Sequence, residues 1–255
     1  MDRKSAVIQV QKLAGGYADK VIFEKISFSI YKGEVFVILG VSGCGKSTLL
    51  KHLIGLKKPL SGSVLIDGVD MVTAYGADRL KLLRKIGVMY QSGALFGSMT
   101  LCENVRLPME EFTDLPSYAM DLIAYTKLKL VGLESYLHFM PSEISGGMKK
   151  RAAIARALAL DPLIIFLDEP TAGLDPVTAS EIDTLILRLS KSFGITFVIV
   201  THELESIFTV ADRAIMLDAK TKTVIADGNP KYLRDSHENQ DVRNFFNRRS
   251  QEKTN

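Results

Sequence analysis

The chain has 255 residues and a formal net charge of +3, with 47% hydrophobic and 24% charged residues and two cysteines. That length suits one large domain or two small ones, and so small a charge, with no strongly basic run, gives no case for binding nucleic acid. Cys44 and Cys102 cannot build a disulfide framework, which favours a reducing compartment.

Residues 1–10 carry early charges but no apolar core of signal-peptide length. Val7-Ile8-Gln9-Val10, Val21-Ile22-Phe23 and Ile26-Ser27-Phe28-Ser29-Ile30 alternate as half-buried strands do, and Lys32-Gly33 makes a turn. Residues 35–39 form a continuous apolar run, expected of a strand buried on both faces. A glycine-rich loop then leads into a helix expected over 46–54 and stopped by Gly55, and residues 63–66 read as a strand before the Asp67-Gly68 turn. From about 92 to 160, after a strand at 86–90, the period is helical, punctuated by Pro108, Pro116 and Pro141. Strands return at 163–167, 196–200, 214–217 and 223–226, with a helix over about 177–193 between the first two.

This alternation predicts an α/β fold with a parallel sheet covered on both sides. The helical stretch 92–160 is expected to be an inserted lobe within a domain of residues 1–235. Residues 236–255 are expected to be a tail of mixed charge in which Phe245-Phe246 marks a short docking helix. No apolar run approaches the roughly 20 residues of a spanning helix, so the chain is not expected to cross a membrane itself. Docking onto a membrane protein stays open.

Gly40-Val41-Ser42-Gly43-Cys44-Gly45-Lys46-Ser47 fits the phosphate-loop pattern. Glycine lets the backbone wrap an anion with its N–H groups inward, and the following helix adds its positive end. Lys46 would reach the β- and γ-phosphates and the Ser47 hydroxyl would hold Mg²⁺. With glycine at about 7% of residues, a chance match in a chain this long is on the order of one in a hundred.

Residues 163–167 end in Asp168-Glu169. Such a strand end would place Asp168 near the water shell of Mg²⁺ and Glu169 where it polarises the attacking water. A strand ending in acids is common by itself; behind a phosphate loop it gains meaning. Ser145-Gly146-Gly147 reads as a helix start, with Ser145 as N-cap and glycines that permit close approach of a ligand. A capped helix serving only packing is the equal alternative for that segment alone.

Together these segments resemble the nucleotide-binding subunits of ATP-binding cassette transporters, from about residue 7 to 230. The resemblance implies a P-loop NTPase, with a RecA-like parallel sheet core, an antiparallel β subdomain and an inserted helical subdomain. It implies ATP and Mg²⁺ as ligands, with Gly40, Ser42, Gly43, Cys44, Gly45, Lys46, Ser47 and Thr48 around the phosphates. Gln91, after the 86–90 strand, matches the family's glutamine that senses Mg²⁺, water and the membrane partner; Ser47, Gln91 and Asp168 form the implied metal set. Asp175, in Ala172-Gly173-Leu174-Asp175, matches the loop that crosses the dimer interface. His202 matches the switch histidine on the γ-phosphate, and Lys46, Glu169 and His202 are the implied catalytic set. Tyr17 stands where the family stacks an aromatic on adenine, although a tyrosine near a hairpin also serves as core filler.

In this family two subunits pack head to tail with two ATP molecules between them, the phosphate loop of one facing Ser145, Gly146 and Gly147 of the other. Closure of the pair drives the membrane domains. Most members have Leu-Ser-Gly-Gly-Gln where this chain has Ile144-Ser145-Gly146-Gly147-Met148. A thioether cannot make the hydrogen bonds of an amide, so a contact from residue 148 to the opposite ribose does not carry over. Met140-Pro141-Ser142-Glu143-Ile144-Ser145-Gly146-Gly147-Met148 and Gln91-Ser92-Gly93-Ala94-Leu95-Phe96 are similar to the ATPases of Mla-type lipid systems.

That similarity implies a homodimer at the cytoplasmic face of a bacterial inner membrane, moving phospholipid between the two membranes. The implied partners are an integral membrane permease, an MCE-domain lipid-binding protein and a small regulatory subunit. The alternatives are the ATPase of another transporter (amino-acid import or lipoprotein release) and a soluble cassette protein. Against the latter, there is no room for a long coiled coil between Lys46 and Ser145, and there is one phosphate loop. Two further readings concern single segments. Cys44 near a helix start would have a lowered thiol pKa and could be a redox switch. Residues 92–96 and 99–105 would form either a receiving patch for a membrane-protein helix or the lobe's own core.

Overall fold

Alternation in the sequence breaks at residues 11–20, yet the first two strands extend into that stretch, one to Tyr17 and the other from Lys20. The computed structural model describes residues 5–17 and 20–247. In chain order the first elements are β1 (Ala6–Tyr17), β2 (Lys20–Tyr31), β3 (Val35–Gly40), α1 (Lys46–Leu53), β4 (Ser61–Ile66) and β5 (Val69–Asp70). Then come α2 (Gly76–Arg84), β6 (Ile86–Met89), α3 (Leu101–Phe112), α4 (Ser117–Leu130), α5 (Gly146–Ala157), β7 (Ile164–Asp168) and α6 (Pro176–Phe193). Last come β8 (Thr196–Val200), α7 (Leu204–Val210), β9 (Arg213–Leu217), β10 (Val224–Gly228), α8 (Pro230–Asp235) and α9 (Gln240–Phe246). The chain divides into two compact units, residues 1–72 with 198–255, and residues 73–197.

In the first unit β1, β2, β4 and β5 form an antiparallel sheet in the order β2-β1-β4-β5. Ile8 lies opposite Ile30 and Val10 opposite Phe28, and the register shifts between Val10 and Leu13. Lys12 and Lys25 take left-handed backbone, φ 47° and 54°. Each irregularity changes which face the following residues point to, so two long strands read in sequence as several short ones.

β3 pairs parallel with β9, Ile38 opposite Ile215, and β9 pairs antiparallel with β10. Every residue of β3 is buried, as its apolar run requires. Arg213 of β9 binds Glu34 at 2.8 Å, Asp227 at 3.0 Å and the Ser29 carbonyl, with its guanidinium 4.8 Å from the Phe36 ring centre. One side chain therefore ties the antiparallel sheet to the parallel strands of this unit.

The tail also folds onto this unit. Phe246 of α9 lies 5.7 Å from Phe208 of α7, Arg234 of α8 lies over Phe208, and Val242 and Phe246 are buried. Phe245-Phe246 fall in α9, which packs against α7 of its own chain. The part of the expected tail at 248–255 lies outside the described residues.

In the second unit β6 pairs parallel with β7, Val88 opposite Phe166, and β8 begins beside β7 with the Thr196 N–H donating to the Leu163 carbonyl at 3.1 Å. The lobe's helices start at Leu101; residues 92–100 are not helical. A capping box begins α3, the Thr100 hydroxyl accepting from the Glu103 N–H and the Glu103 carboxylate from the Thr100 N–H. The fully buried Asn104 carboxamide holds the preceding turn, donating to the carbonyls of Phe96, Met99 and Thr100 and accepting from the Phe96 N–H. α2 was not expected: it is nine residues long, has no side-chain cap and buries only Leu82, too little to leave a helical stripe in the sequence. Among the described residues no helix is long and apolar enough to cross a membrane.

His52 of α1 is 1% exposed, and its Nδ1 lies 2.8 Å from the Lys57 carbonyl. A carbonyl only accepts, so Nδ1 carries the proton. Nε2 has no hydrogen-bond partner and a Cβ on Gly15 would stand 2.4 Å from it. Burial holds the imidazole below its ordinary value of 6.5. The unfolded chain therefore binds this proton more readily than the folded one, and stability that is full above that value is lost as pH falls below it. Urea-unfolding midpoints should drop between pH 7 and pH 5, and His52→Gln should flatten that drop; an unchanged slope would remove His52 as its source.

Candidate functional site

β3, buried on every side, can present chemistry only at its end. There the chain turns through Gly40, Gly43 and Gly45, with φ of 148°, 81° and 106°, values that L side chains rarely adopt. A Cβ on Gly40 would stand 2.5 Å from the Leu217 carbonyl oxygen, and one on Gly45 2.6 Å from Ile22 Cγ2. At Gly43 it would meet nothing within 4 Å, so this part of the loop is open on that side. Gly45 is the N-cap of α1, which has no side-chain cap and no acid in its first turn. The positive end of the helix thus faces the loop with no carboxylate standing at it. Lys46 Nζ donates to the carbonyls of Gly40 at 2.9 Å and Val41 at 3.3 Å, which places its ammonium over the same loop. Ser42 and Ser47 are exposed, and Thr48 is buried.

Cys44 does not behave as a helix-start thiol was expected to. It is 2% exposed, and its sulfur lies 2.6 Å from where a Cβ on Gly40 would fall. Burial pushes the thiol up, with Asp218 adding to the effect and Lys46 opposing it. Cys44 fills space beneath the loop, and the redox-switch reading loses its physical basis.

Tyr17 is 47% exposed, with Lys57 Nζ 3.0 Å from its ring centre. A hydrogen bond to the Thr48 side chain holds the phenol below its ordinary range. The ring is thereby tied to the helix that follows the phosphate loop and stays half exposed rather than in the core. His202 is exposed and follows β8. The Thr201 N–H reaches the Ile38 carbonyl at 3.4 Å, so the backbone just before His202 runs beside β3, two residues short of Gly40.

In the second unit Ile164, Ile165, Phe166 and Leu167 are fully buried and β7 ends at Asp168. Glu169 follows, 8% exposed, with its backbone left-handed at φ 49°. Met89 of β6 lies opposite Leu167, so Gln91 and Glu169 emerge from neighbouring strand ends. Lys150 of α5 joins them: its Nζ donates to the Gln91 carbonyl at 2.5 Å and to the Glu169 carbonyl at 2.9 Å.

Ser145 is the N-cap expected of it, its hydroxyl accepting from the Met148 N–H at 3.3 Å. The two glycines differ. A Cβ on Gly147 would fall 2.4 Å from Thr178 Cγ2, so Gly147 allows α5 to approach α6; one on Gly146 would make an ordinary 3.6 Å contact with Leu174. Packing therefore accounts for Gly147 and leaves Gly146 to another role. Asp175 caps α6, its carboxylate accepting from the N–H groups of Val177 and Thr178 at 3.1 Å and from the Thr178 hydroxyl at 2.6 Å. The Thr178 hydroxyl and backbone bonds hold that carboxyl below its ordinary range.

The segment after Gln91 divides between its two readings: Phe96 is 50% exposed, whereas Leu101 and Val105 are fully buried in the lobe.

The structure thus brings Tyr17, the phosphate loop and His202 into one unit, and Gln91, Ser145, Gly146, Gly147, Asp168, Glu169 and Asp175 into the other. Lys150 escaped the sequence reading although a signal was present. With Ala153, Ile154 and Ala157 it makes an i, i+3, i+4, i+7 stripe, all of it buried, and a lysine on an apolar stripe needs an internal acceptor. Among the described residues no group of three or more His, Cys, Asp or Glu is arranged to hold a metal. The oxygen donors of Ser47, Gln91 and Asp168, a hydroxyl, an amide and a carboxylate, are of the hard type that Mg²⁺ takes.

The family described as ABC transporter matches residues 23–172. The intermembrane phospholipid transport system ATP-binding protein MlaF of Haemophilus influenzae is 40% identical over 233 residues, covering 91% of this chain and 87% of that protein. A probable ribonucleotide transport ATP-binding protein, mkl, of Mycobacterium leprae is 44% identical over 213 residues, 84% of this chain; the chain spans 61% of that relative's length. Among solved structures, the ATP-binding cassette MJ0796, dimeric in a post-hydrolysis state bound to ADP and Pi, superposes with a TM-score of 0.78 at 31% identity, covering 87% of this chain and 98% of that one.

Proposed function

This chain belongs to the ABC transporter family of ATPases, and from that premise we propose that it powers phospholipid transport between two membranes. It works as a head-to-tail homodimer docked on an integral permease. ATP hydrolysis for transport is the family's activity; the cargo, the partners and the residue roles are the proposal. The observation that carries the cargo is Met148, in a segment like that of Mla-type ATPases, on a chain that aligns over 91% of its length with a protein named for phospholipid transport.

In this reading the loop from Gly40 to Thr48 wraps the phosphates, Lys46 neutralises the β- and γ-oxygens, and Tyr17 stacks on the base. Ser47, Gln91 and Asp168 would hold Mg²⁺, which supplies charge neutralisation on the phosphates. Glu169 accepts a proton from the attacking water and His202 contacts the γ-phosphate. Ser145 and Gly146 of one copy serve the nucleotide held by the other, which gives the uncovered side of Gly146 a use. Dimers among the solved relatives support this geometry. The site of action is the cytoplasmic face of the inner membrane, with an MCE-domain protein and a small regulatory subunit completing the assembly. Cargo named for the mycobacterial relatives, ribonucleotide, is the second reading.

Glu169→Gln should retain ATP binding while turnover falls at least ~10²-fold, the effect of losing a positioned base; near-normal single-turnover rates would remove Glu169 from that role. Mixing Lys46→Ala subunits with Ser145→Ala subunits leaves one intact composite site per mixed dimer. Part of the ATPase activity should return on mixing, and no return would overturn the trans arrangement. For the cargo, affinity purification from native membrane followed by mass spectrometry of proteins and lipids should find a permease, an MCE-domain protein and phospholipid. A permease without either of the last two would replace the lipid reading with the second one.

A further inference from the structure

We infer that Lys150 is a positioning residue for hydrolysis, a buried ammonium that fixes Glu169 and the loop after Gln91 to the same face of α5. This deepens the proposed function and rests on Glu169 acting there as the base.

Lys150 is 7% exposed on a helix face otherwise made of alanine and isoleucine. Burying an ammonium there is costly unless strong acceptors meet it. Two backbone carbonyls accept from it, those of Gln91 and Glu169, which follow the ends of β6 and β7. Six residues on, Arg156 repeats the pattern, donating to the carbonyls of Gly93 at 2.8 Å and Ala94 at 2.7 Å. A Cβ on Gly93 would lie 3.5 Å from Ala153 of the same helix. The loop from 91 to 94 is therefore pinned along α5 by two cations, and Lys150 alone also reaches the turn that carries the glutamate.

The state of that turn gives the second contact its importance. Glu169 is a non-glycine residue in left-handed backbone, a conformation held only when its surroundings over-determine it. The carbonyl that Lys150 grips belongs to Glu169 itself, so the bond fixes the peptide plane that closes this strained residue and aims its side chain. The Ala172 N–H reaches the same oxygen at a longer 3.3 Å. Ser145 also caps α5, so a displacement of that helix is transmitted through Lys150 to residues 91 and 169 together.

Were Lys150 only a packing residue, its loss would lower stability and leave the chemistry intact in whatever folds. A positioning role predicts a split. Lys150→Met keeps roughly the length and removes both hydrogen bonds with the charge; Lys150→Arg keeps the charge and N–H donors. In the assembled complex, Lys150→Met should lower kcat about 10- to 100-fold with KM for ATP changed less than about 3-fold, as for an interaction needed in the transition state. Lys150→Arg should recover most of that loss. Amide exchange of folded Lys150→Met should quicken at 91–94 and 169–172 and stay unchanged in β1 and β2. Wild-type kcat in Lys150→Met, or a matched fall of kcat and melting temperature with unaltered exchange at those segments, would overturn the inference. Should Lys150→Met not fold, Lys150→Arg and Lys150→Gln decide it by the same kcat comparison: equal turnover in the two overturns it. Glu169→Gln measured alongside separates the two failures, since full turnover there defeats the base reading whatever Lys150 does.

Discussion

A strand with both faces buried has no side chain to offer a ligand, so its chemistry is confined to the residues just past its carboxyl end. β3 and β7 both obey this constraint. All of β3 is buried and all of β7 up to Leu167, and the phosphate-loop residues Val41, Ser42, Gly43 and Ser47 become exposed only past the end of one, while Asp168 and Glu169 stand at the end of the other. The apolar runs that stabilise each unit thereby also set where a phosphate-handling residue can stand.

Three helix starts then show how one physical resource is put to different uses. Each helix begins with N–H groups that lack an internal partner. α6 satisfies its own with the Asp175 carboxylate and α5 satisfies one with Ser145, whereas α1 presents its N–H groups behind Gly45 with no side-chain cap. An anion finds its strongest helix-end attraction at α1, a weaker one at α5, and none at α6, where a carboxylate already stands. This gradation fits the division of labour proposed for a dimer, with the phosphates seated on α1 and approached by α5 of the other copy.

Most of the fold was legible because it rests on local pattern. The five apolar residues 35–39, the four apolar strand residues from Ile164 to Leu167 ahead of Asp168, and the Gly-Lys-Ser turn after β3 each mark their element within a window of a few residues. Lys46, Glu169 and Ser145 were legible for the same reason, since each sits at a fixed step from a strand end or a helix start. Where the pattern was interrupted, the reading shortened or failed. Bulges at Lys12 and Lys25 split two long strands, and α2, with one buried residue, left no stripe.

Helix period, strand period and glycine punctuation act between near neighbours, and so the α/β class, the phosphate loop, the acidic strand end and the capped helix start are written in short stretches of sequence. The tertiary structure alone decided that Cys44 is buried and its thiol raised, that Tyr17 is held by Thr48 and Lys57, and that α9 closes on Phe208. It also decided that one ammonium joins residues 91 and 169. Those facts depend on burial and on contacts across tens to hundreds of residues, and a side chain's solvent and partners are set by the packed chain rather than by its neighbours in sequence.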